Sequence, residues 1–271
     1  MQKLKERLKE IGHEPNKKFG QNFLVSEYAI DKIIGEVRKS ESGQIYEIGP
    51  GLGALTDHLI ETGRPLKIIE FDKKLIDFWS PKIEGTEAEI FFCDALKYDW
   101  RDESVKQAHL VSNLPYQISS SLVIELSKIG APFSNMTLMF QKEVADRLLA
   151  GPSTSAYGLL SVVSQVFWKM DRLVELSPRD FFPPPKVAST VLGFKPLQSP
   201  VGDERTRFIK FVKAAFSQRR KKMAKNLGLS KEDRANFIQI LENIGKSETM
   251  RAEELAPHEF VEVFKTLHNL G

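Results

Sequence analysis

Between residues 44 and 141, five short apolar runs punctuate the chain, with helical patterns between most of them. "QIYEI" (44–48), "LKIIEF" (66–71), "EIFF" (89–92), "HLVS" (109–112) and "TLMFQ" (137–141) read as strands. "ALTDHLIETG", "KKLIDFWSPKI", "ISSSLVIELSKI" and "KEVADRLLAG" read as helices. Strands this short and this continuously apolar must be covered on both faces, and crossover helices provide that cover. The pattern predicts an α/β chain with a mostly parallel, doubly wound sheet. In such a sheet ligands bind beyond the carboxyl ends of the strands, so the residues just after each strand carry the functional information.

The rhythm changes on either side of this region. "SEYAIDKIIGEV" reads as a helix with Ser26 at its N-cap. "AYGLLSVVSQVFW" is helical, and "DRLVELS" and "ASTVLGFKP" are strands around "PRDFFPPPKV" that can pair antiparallel at the sheet edge. "QSPVGD", after Pro196, reads as a linker, and from Glu204 every signal is helical. A boundary near residue 200 is expected, with an α/β domain over 1–200 and a small all-helical domain over 201–271.

Composition narrows the function classes. The 271 residues are 41% hydrophobic and 28% charged, ordinary for a globular chain. No apolar run approaches a membrane span, and "MQKLKERLKE" lacks the apolar core of a secretory signal, so a cytoplasmic protein is expected. The single cysteine, Cys93, excludes an internal disulfide and is expected to pack. Five scattered histidines make a Cys/His metal site unexpected. The net charge is only +3, yet residues 205–225 hold nine Lys or Arg and no acid. Such clustering points to a localised polyanion contact, most directly through the consecutive Arg219, Arg220, Lys221 and Lys222. Phe208, Phe211, Val212 and Ala215 recur at helical spacing and are expected in the core.

Four strand ends carry chemistry-bearing residues. The first runs into "EIGPGLGALT", whose Gly49, Gly51 and Gly53 permit a tight turn close to a ligand. This spacing also satisfies a nicotinamide-type fingerprint ending in Ala54, so the loop alone leaves the cofactor open. Glu70 ends the next strand, where a carboxylate accepts the hydroxyls of a ribose. Asp94 follows the third, placed to accept from an adenine amine. After the fourth comes "SNLPYQIS": Asn113 supplies an amide, Leu114 a carbonyl before proline, and Tyr116 a ring. Pro115 stiffens that corner.

In order along the chain, "KKFGQNFL" (17–24), "EIGPGLGALT" (47–56), "EFD" (70–72), "CDAL" (93–96), "SNLPYQIS" (112–119), "FFPPPKV" (181–187) and "FSQRRKKMAKNL" (216–227) resemble the motifs of S-adenosylmethionine-dependent rRNA adenine dimethyltransferases, most nearly the bacterial small-subunit type. The resemblance spans nearly the whole chain, and "PYQ" where many bacterial members have "PYN" is a small departure. It implies a Rossmann-like methyltransferase fold, S-adenosylmethionine as methyl donor and no metal. It also implies dimethylation of two adjacent adenosines in the hairpin near the 3′ end of 16S rRNA in the small ribosomal subunit, by a monomer. Carried over by position, it sets Asn22 and Leu24 near the cofactor's methionine end, Gly49 along its middle, Glu70 at the ribose and Asp94 at the adenine. Asn113 falls between cofactor and target, where its oxygen and the Leu114 carbonyl accept from the target amine. Tyr116 offers a stacking face, and Phe181 matches an aromatic that covers the base.

Rival readings differ in what they leave over. A nicotinamide-dependent oxidoreductase accounts for the glycine loop and Glu70 but not for "NLPY" or the basic stretch. A non-catalytic ribosome-assembly factor accounts for the basic surface and is not exclusive of enzymatic activity. A large-subunit rRNA or DNA adenine methyltransferase shares the "NLPY" chemistry, but "FFPPPKV" and "FSQRRK" favour the small-subunit type.

Overall fold

The computed structural model describes residues 2–12, 22–102 and 105–268. The chain gathers into two compact units: Met1–Leu122 with Pro132–Ala145 and Met170–Pro196, and Val123–Ala131 with Asp146–Lys169 and Leu197–Gly271. The chain passes from the first unit to the second for the last time after Pro196. A single cut there nevertheless leaves residues 123–131 and 146–169 on the other side from the unit they pack with.

In chain order the first elements are helix α1 (Gln2–Ile11), strand β1 (Phe23–Leu24), α2 (Glu27–Lys39), β2 (Ile45–Ile48), α3 (Thr56–Ile60), β3 (Leu66–Glu70), α4 (Lys73–Ile83) and β4 (Ala88–Phe92). There follow β5 (His109–Asn113), α5 (Ser119–Lys128), β6 (Asn135–Gln141), α6 (Lys142–Leu149), α7 (Leu159–Phe167), β7 (Trp168–Leu176), β8 (Phe181–Phe182) and β9 (Ser189–Pro196). The chain closes with α8 (Arg205–Ala215), α9 (Met223–Leu227), α10 (Lys231–Asn243) and α11 (Pro257–Leu267).

Seven strands form one sheet in the order β4-β3-β2-β5-β6-β9-β7. The pairs from β4 to β6 are parallel, and β9 runs antiparallel to β6. The mostly parallel sheet with an antiparallel edge is therefore as the strand pattern predicts. Its register pairs Ile48 with Ile69, Glu70 with Phe92 and Asn113 with Met139, so these carboxyl ends finish along one edge. Beneath them, Ile33, Ile34 and Val37 of α2 pack with Ile45, Ile68, Leu59 and Trp79 in the first unit's core. Helix α3 is shorter than "ALTDHLIETG" suggests, because the chain turns at Glu61–Gly63, where the Thr62 hydroxyl bonds the Leu59 carbonyl. Ser26 holds the N-cap position of α2 with extended backbone but forms no side-chain cap bond.

The second unit is built on aromatic packing. Phe208 meets Phe167 and Phe264, and Phe211 meets Phe260 and Phe264. Phe208, Phe211, Val212 and Ala215 are all buried, as their spacing predicts. Helix α7 is apolar along most of its length and buries Leu160, Val162, Val163 and Phe167. It therefore needs apolar neighbours on several sides, and α8 and α11 supply them. No helix among the described residues is long and apolar enough to cross a membrane.

Candidate active site

At the carboxyl ends of β2 to β5 the first unit holds a cavity of about 540 Å³. Its wall brings together Asn22, Gly49, Glu70, Asp94, Asn113, Leu114 and Tyr116, residues from five separate stretches of sequence. A volume of this size suits a nucleoside-sized ligand. Residues 17–21 of "KKFGQNFL" lie outside the described residues.

The glycine loop closes one side. Gly49 donates its N–H to the Ile69 carbonyl at 3.0 Å, which fastens the end of β2 to β3. Gly51 has φ +50°, a left-handed conformation that glycine adopts without strain, and the Phe23 ring packs beside it. Glu70 turns back onto its own strand end. Its Oε1 accepts from the N–H groups of Phe71 and Asp72, both at 2.6 Å, leaving Oε2 for a ligand. Burial raises this carboxyl from the usual range to about 7, against the opposing pull of those two backbone bonds. Asp94 is arranged alike, with Oδ1 taken by the Leu96 N–H at 2.9 Å.

Asn113 is oriented rather than merely present. Its Nδ2 donates to the Asn22 carbonyl at 3.2 Å, which assigns the amide and leaves Oδ1 as an acceptor. Pro115 continues from Leu114 and comes within 4.0 Å of the position a Gly49 Cβ would take. The Tyr116 hydroxyl bonds to Ser189 Oγ at 3.0 Å, which anchors the ring beside the corner. Burial raises the phenol above its ordinary range, so it stays neutral.

Two expected site residues lie elsewhere. Leu24 and Phe181 are Cα partners in the two-stranded β1–β8 ladder and are 3% and 2% exposed. Both belong to the core cluster, and neither lines the cavity. Phe182, the neighbour of Phe181, is less buried. Phe71, which the sequence pattern does not single out, lines the cavity at 64% exposure and stacks on Phe92 with ring centroids 5.8 Å apart. The signal was an apolar residue just beyond a strand's last paired position, within "EFD". Cys93, expected only to pack, is also on the wall. Among the described residues no cluster of His, Cys, Asp and Glu can hold a metal.

In the second unit the basic run 219–222 lies in an exposed turn between α8 and α9. Arg219 is committed within that unit: it pairs with Glu253 at 2.6 Å and donates to the carbonyls of Ser155 and Thr154. Arg220, Lys221 and Lys222 form no ion pair among the described residues and are exposed.

The sequence profile of ribosomal RNA adenine dimethylases matches residues 12–269. A Ribosomal RNA small subunit methyltransferase A from Bdellovibrio bacteriovorus is 45% identical over 94% of this chain and 93% of its own length. The protein of that name from Syntrophotalea carbinolica is 41% identical over 80% and 83%. A crystal structure of a dimethyladenosine transferase from Plasmodium falciparum superposes with a TM-score of 0.77 at 24% identity, covering 91% of this chain and 98% of that one. The 23S rRNA methyltransferase ErmE gives 0.67 at 22% identity, with 91% and 100% covered. These two likenesses speak to the fold; the match over nearly the full sequence places the chain in the ribosomal RNA adenine dimethylase family.

Proposed function

We propose that this chain transfers methyl groups from S-adenosylmethionine to the exocyclic amines of two adjacent adenosines in the 3′-terminal hairpin of 16S rRNA, in the small ribosomal subunit or its precursor, acting as a cytoplasmic monomer. The cavity's donor set fits the cofactor. The glycine turn admits a ligand close to backbone, Glu70 Oε2 suits ribose hydroxyls, and Asp94 keeps an oxygen for an adenine amine. When bound, this cofactor supplies a methyl already activated on a sulfonium, so the difficulty lies with the acceptor.

Adenine's exocyclic nitrogen is a poor nucleophile because its lone pair is delocalised into the ring. The observation that carries the reading is the orientation of Asn113: with Nδ2 held by the Asn22 carbonyl, Oδ1 is the acceptor. Asn113 Oδ1 and the Leu114 carbonyl can hold the two amine hydrogens, draw the nitrogen toward tetrahedral geometry, and stabilise the positive charge that develops on it. Their placement ahead of the reaction is the source of rate. Reaching the amine requires an unstacked nucleotide, which a hairpin loop provides most readily, and the Tyr116 ring is fixed beside the corner. No general base is needed, since the cationic product loses its proton to water.

The direct test offers labelled cofactor to unmethylated small subunits, large subunits and DNA. Dimethyladenosine is expected in 16S rRNA alone; its appearance only in the other substrates overturns the reading.

Two further outcomes follow from the same site. Glu70 must be ionised to accept two hydroxyls, and its carboxyl titrates near 7. Cofactor affinity is therefore expected to rise with pH through 7 and to level off above it. Glu70→Gln should remove that dependence and weaken binding at pH 8 by about 1.5–3 kcal/mol, the worth of a charge-assisted hydrogen bond. Calorimetry with the non-reacting product S-adenosylhomocysteine between pH 6 and 8 measures both.

Arg220 and Lys221 together should contribute phosphate contacts. Reversing both charges is expected to weaken binding to an rRNA fragment and to lower the slope of log affinity against log salt by about 1.4 to 1.8. A salt series on wild type and variant decides it, and an unchanged slope places the contact elsewhere. Arg219 is the wrong residue for this test, because its loss also breaks the Glu253 pair.

A further inference from the structure

Helix α1 precedes the span matched by the family profile, which begins at residue 12, and none of its residues lines the cavity. It is nevertheless tied to the loop that does. The Arg7 guanidinium, 12% exposed, donates to the Leu52 carbonyl at 2.6 Å and to Asp57 Oδ1 at 2.9 Å. It also lies over the Trp79 ring, 5.3 Å from the centroid. Trp79 in turn donates its indole N–H to the Gly51 carbonyl at 3.0 Å. Two consecutive carbonyls of the glycine loop are thus each held by a side chain from outside it. The fit is close: at Gly53, where φ is +89°, a Cβ would fall 2.1 Å from an Arg7 nitrogen and 2.9 Å from the Trp79 ring. Lys3–Asp57 and Lys82–Glu10 pairs also hold α1, but these are more exposed and contribute little.

A turn with three positive-φ glycines in five residues loses more conformational freedom on being ordered than one built of other residues. Ordering it only when the ligand arrives would be charged against affinity. We infer that Arg7 is a positioning residue: it braces α1 against the glycine loop and holds that loop in its cavity-lining conformation, so that cofactor affinity depends on α1 being docked. By linkage, bound cofactor strengthens the docking of α1 by the same factor. This rests on the cavity being the S-adenosylmethionine site, and one of the readouts below is independent of that.

The test compares wild type with Arg7→Met, Arg7→Lys and Asp57→Asn. In the free proteins, Arg7→Met is expected to speed amide hydrogen exchange selectively at residues 51–57. It should also weaken S-adenosylhomocysteine binding about tenfold and raise KM for S-adenosylmethionine in proportion, with kcat within twofold. Arg7→Lys, which keeps the charge and reaches one acceptor, should recover part of the loss, and Asp57→Asn should fall between. If Arg7→Met does not fold, the two milder variants carry the comparison. Wild-type exchange at 51–57, or exchange raised evenly across the sheet, overturns the brace. A wild-type protein that binds no S-adenosylhomocysteine sinks the cofactor reading instead, while loop exchange still decides the role of Arg7.

Discussion

Asn113→Ala is expected to bind S-adenosylhomocysteine within about fivefold of wild type, yet to transfer methyl at least roughly 100-fold more slowly, the usual cost of one preorganised hydrogen-bonding group. The split follows from what the side chain touches. Its Nδ2 is spent on the Asn22 carbonyl, and the cavity-lining carboxylates Glu70 and Asp94 are anchored by their own backbone neighbours. Removing the amide therefore leaves most of the cavity wall standing and removes the oxygen that, in the proposed mechanism, would grip the target amine. Asn113→Asp separates the two halves of the amide. It keeps an acceptor, loses the donor, and sets a carboxylate against the Asn22 carbonyl. If the acceptor carries the rate, Asp should retain more activity than Ala despite that repulsion. Single-turnover rates at saturating cofactor and small subunits measure the step itself. Near-normal turnover in Asn113→Ala would move the chemistry away from this corner.

Much of the scaffold was legible because its signals are local. β2 and α4 begin and end within a residue of the expected bounds: each is a continuous apolar or amphipathic run stopped by glycine or by an N-cap, here Asp72 accepting from the Lys74 N–H. The cavity residues followed from topology, since a parallel sheet gathers its strand ends. What stayed hidden depends on distant partners. Two-residue strands such as β1 and β8 have no period to detect, so the ladder that buries Leu24 and Phe181 left no trace in the pattern. A motif supplies a residue's place in the chain but not the direction of its side chain. Arg219 looks identical to its three basic neighbours until Glu253, thirty-four positions on, is seen beside it. Likewise α7 reads as one more helix of the first region, and its packing on α8 and α11, Phe167 against Phe208 included, shows where it belongs.

Glu47→Gln should gain stability relative to wild type as pH rises from 5 to 8, by on the order of 3 kcal/mol across that interval. Glu47 lies in β2, two residues before Gly49, with 1% of its surface exposed and no hydrogen-bond partner for Oε2. Burial lifts its carboxyl from 4.5 to about 8; Asp57 and Glu70 add to the rise, and a bond from Thr56 opposes it. The unfolded chain therefore releases this proton near pH 4.5, whereas the folded chain keeps it to about 8. Between those values the folded state binds the extra proton, and stability falls by up to about 1.4 kcal/mol for each unit of rising pH. The contribution is complete below 4.5, declines through the window, and stops changing above 8. Glutamine fills the same space and binds no proton, so the variant lacks this slope. Glu70 also titrates inside the window, but it is common to both proteins and largely cancels in the difference. Urea denaturation of the two proteins at pH 5, 6, 7 and 8 gives the comparison directly. Curves that stay parallel would mean that Glu47 ionises in the fold as it does in water, and that the acid beneath the glycine loop is not held neutral.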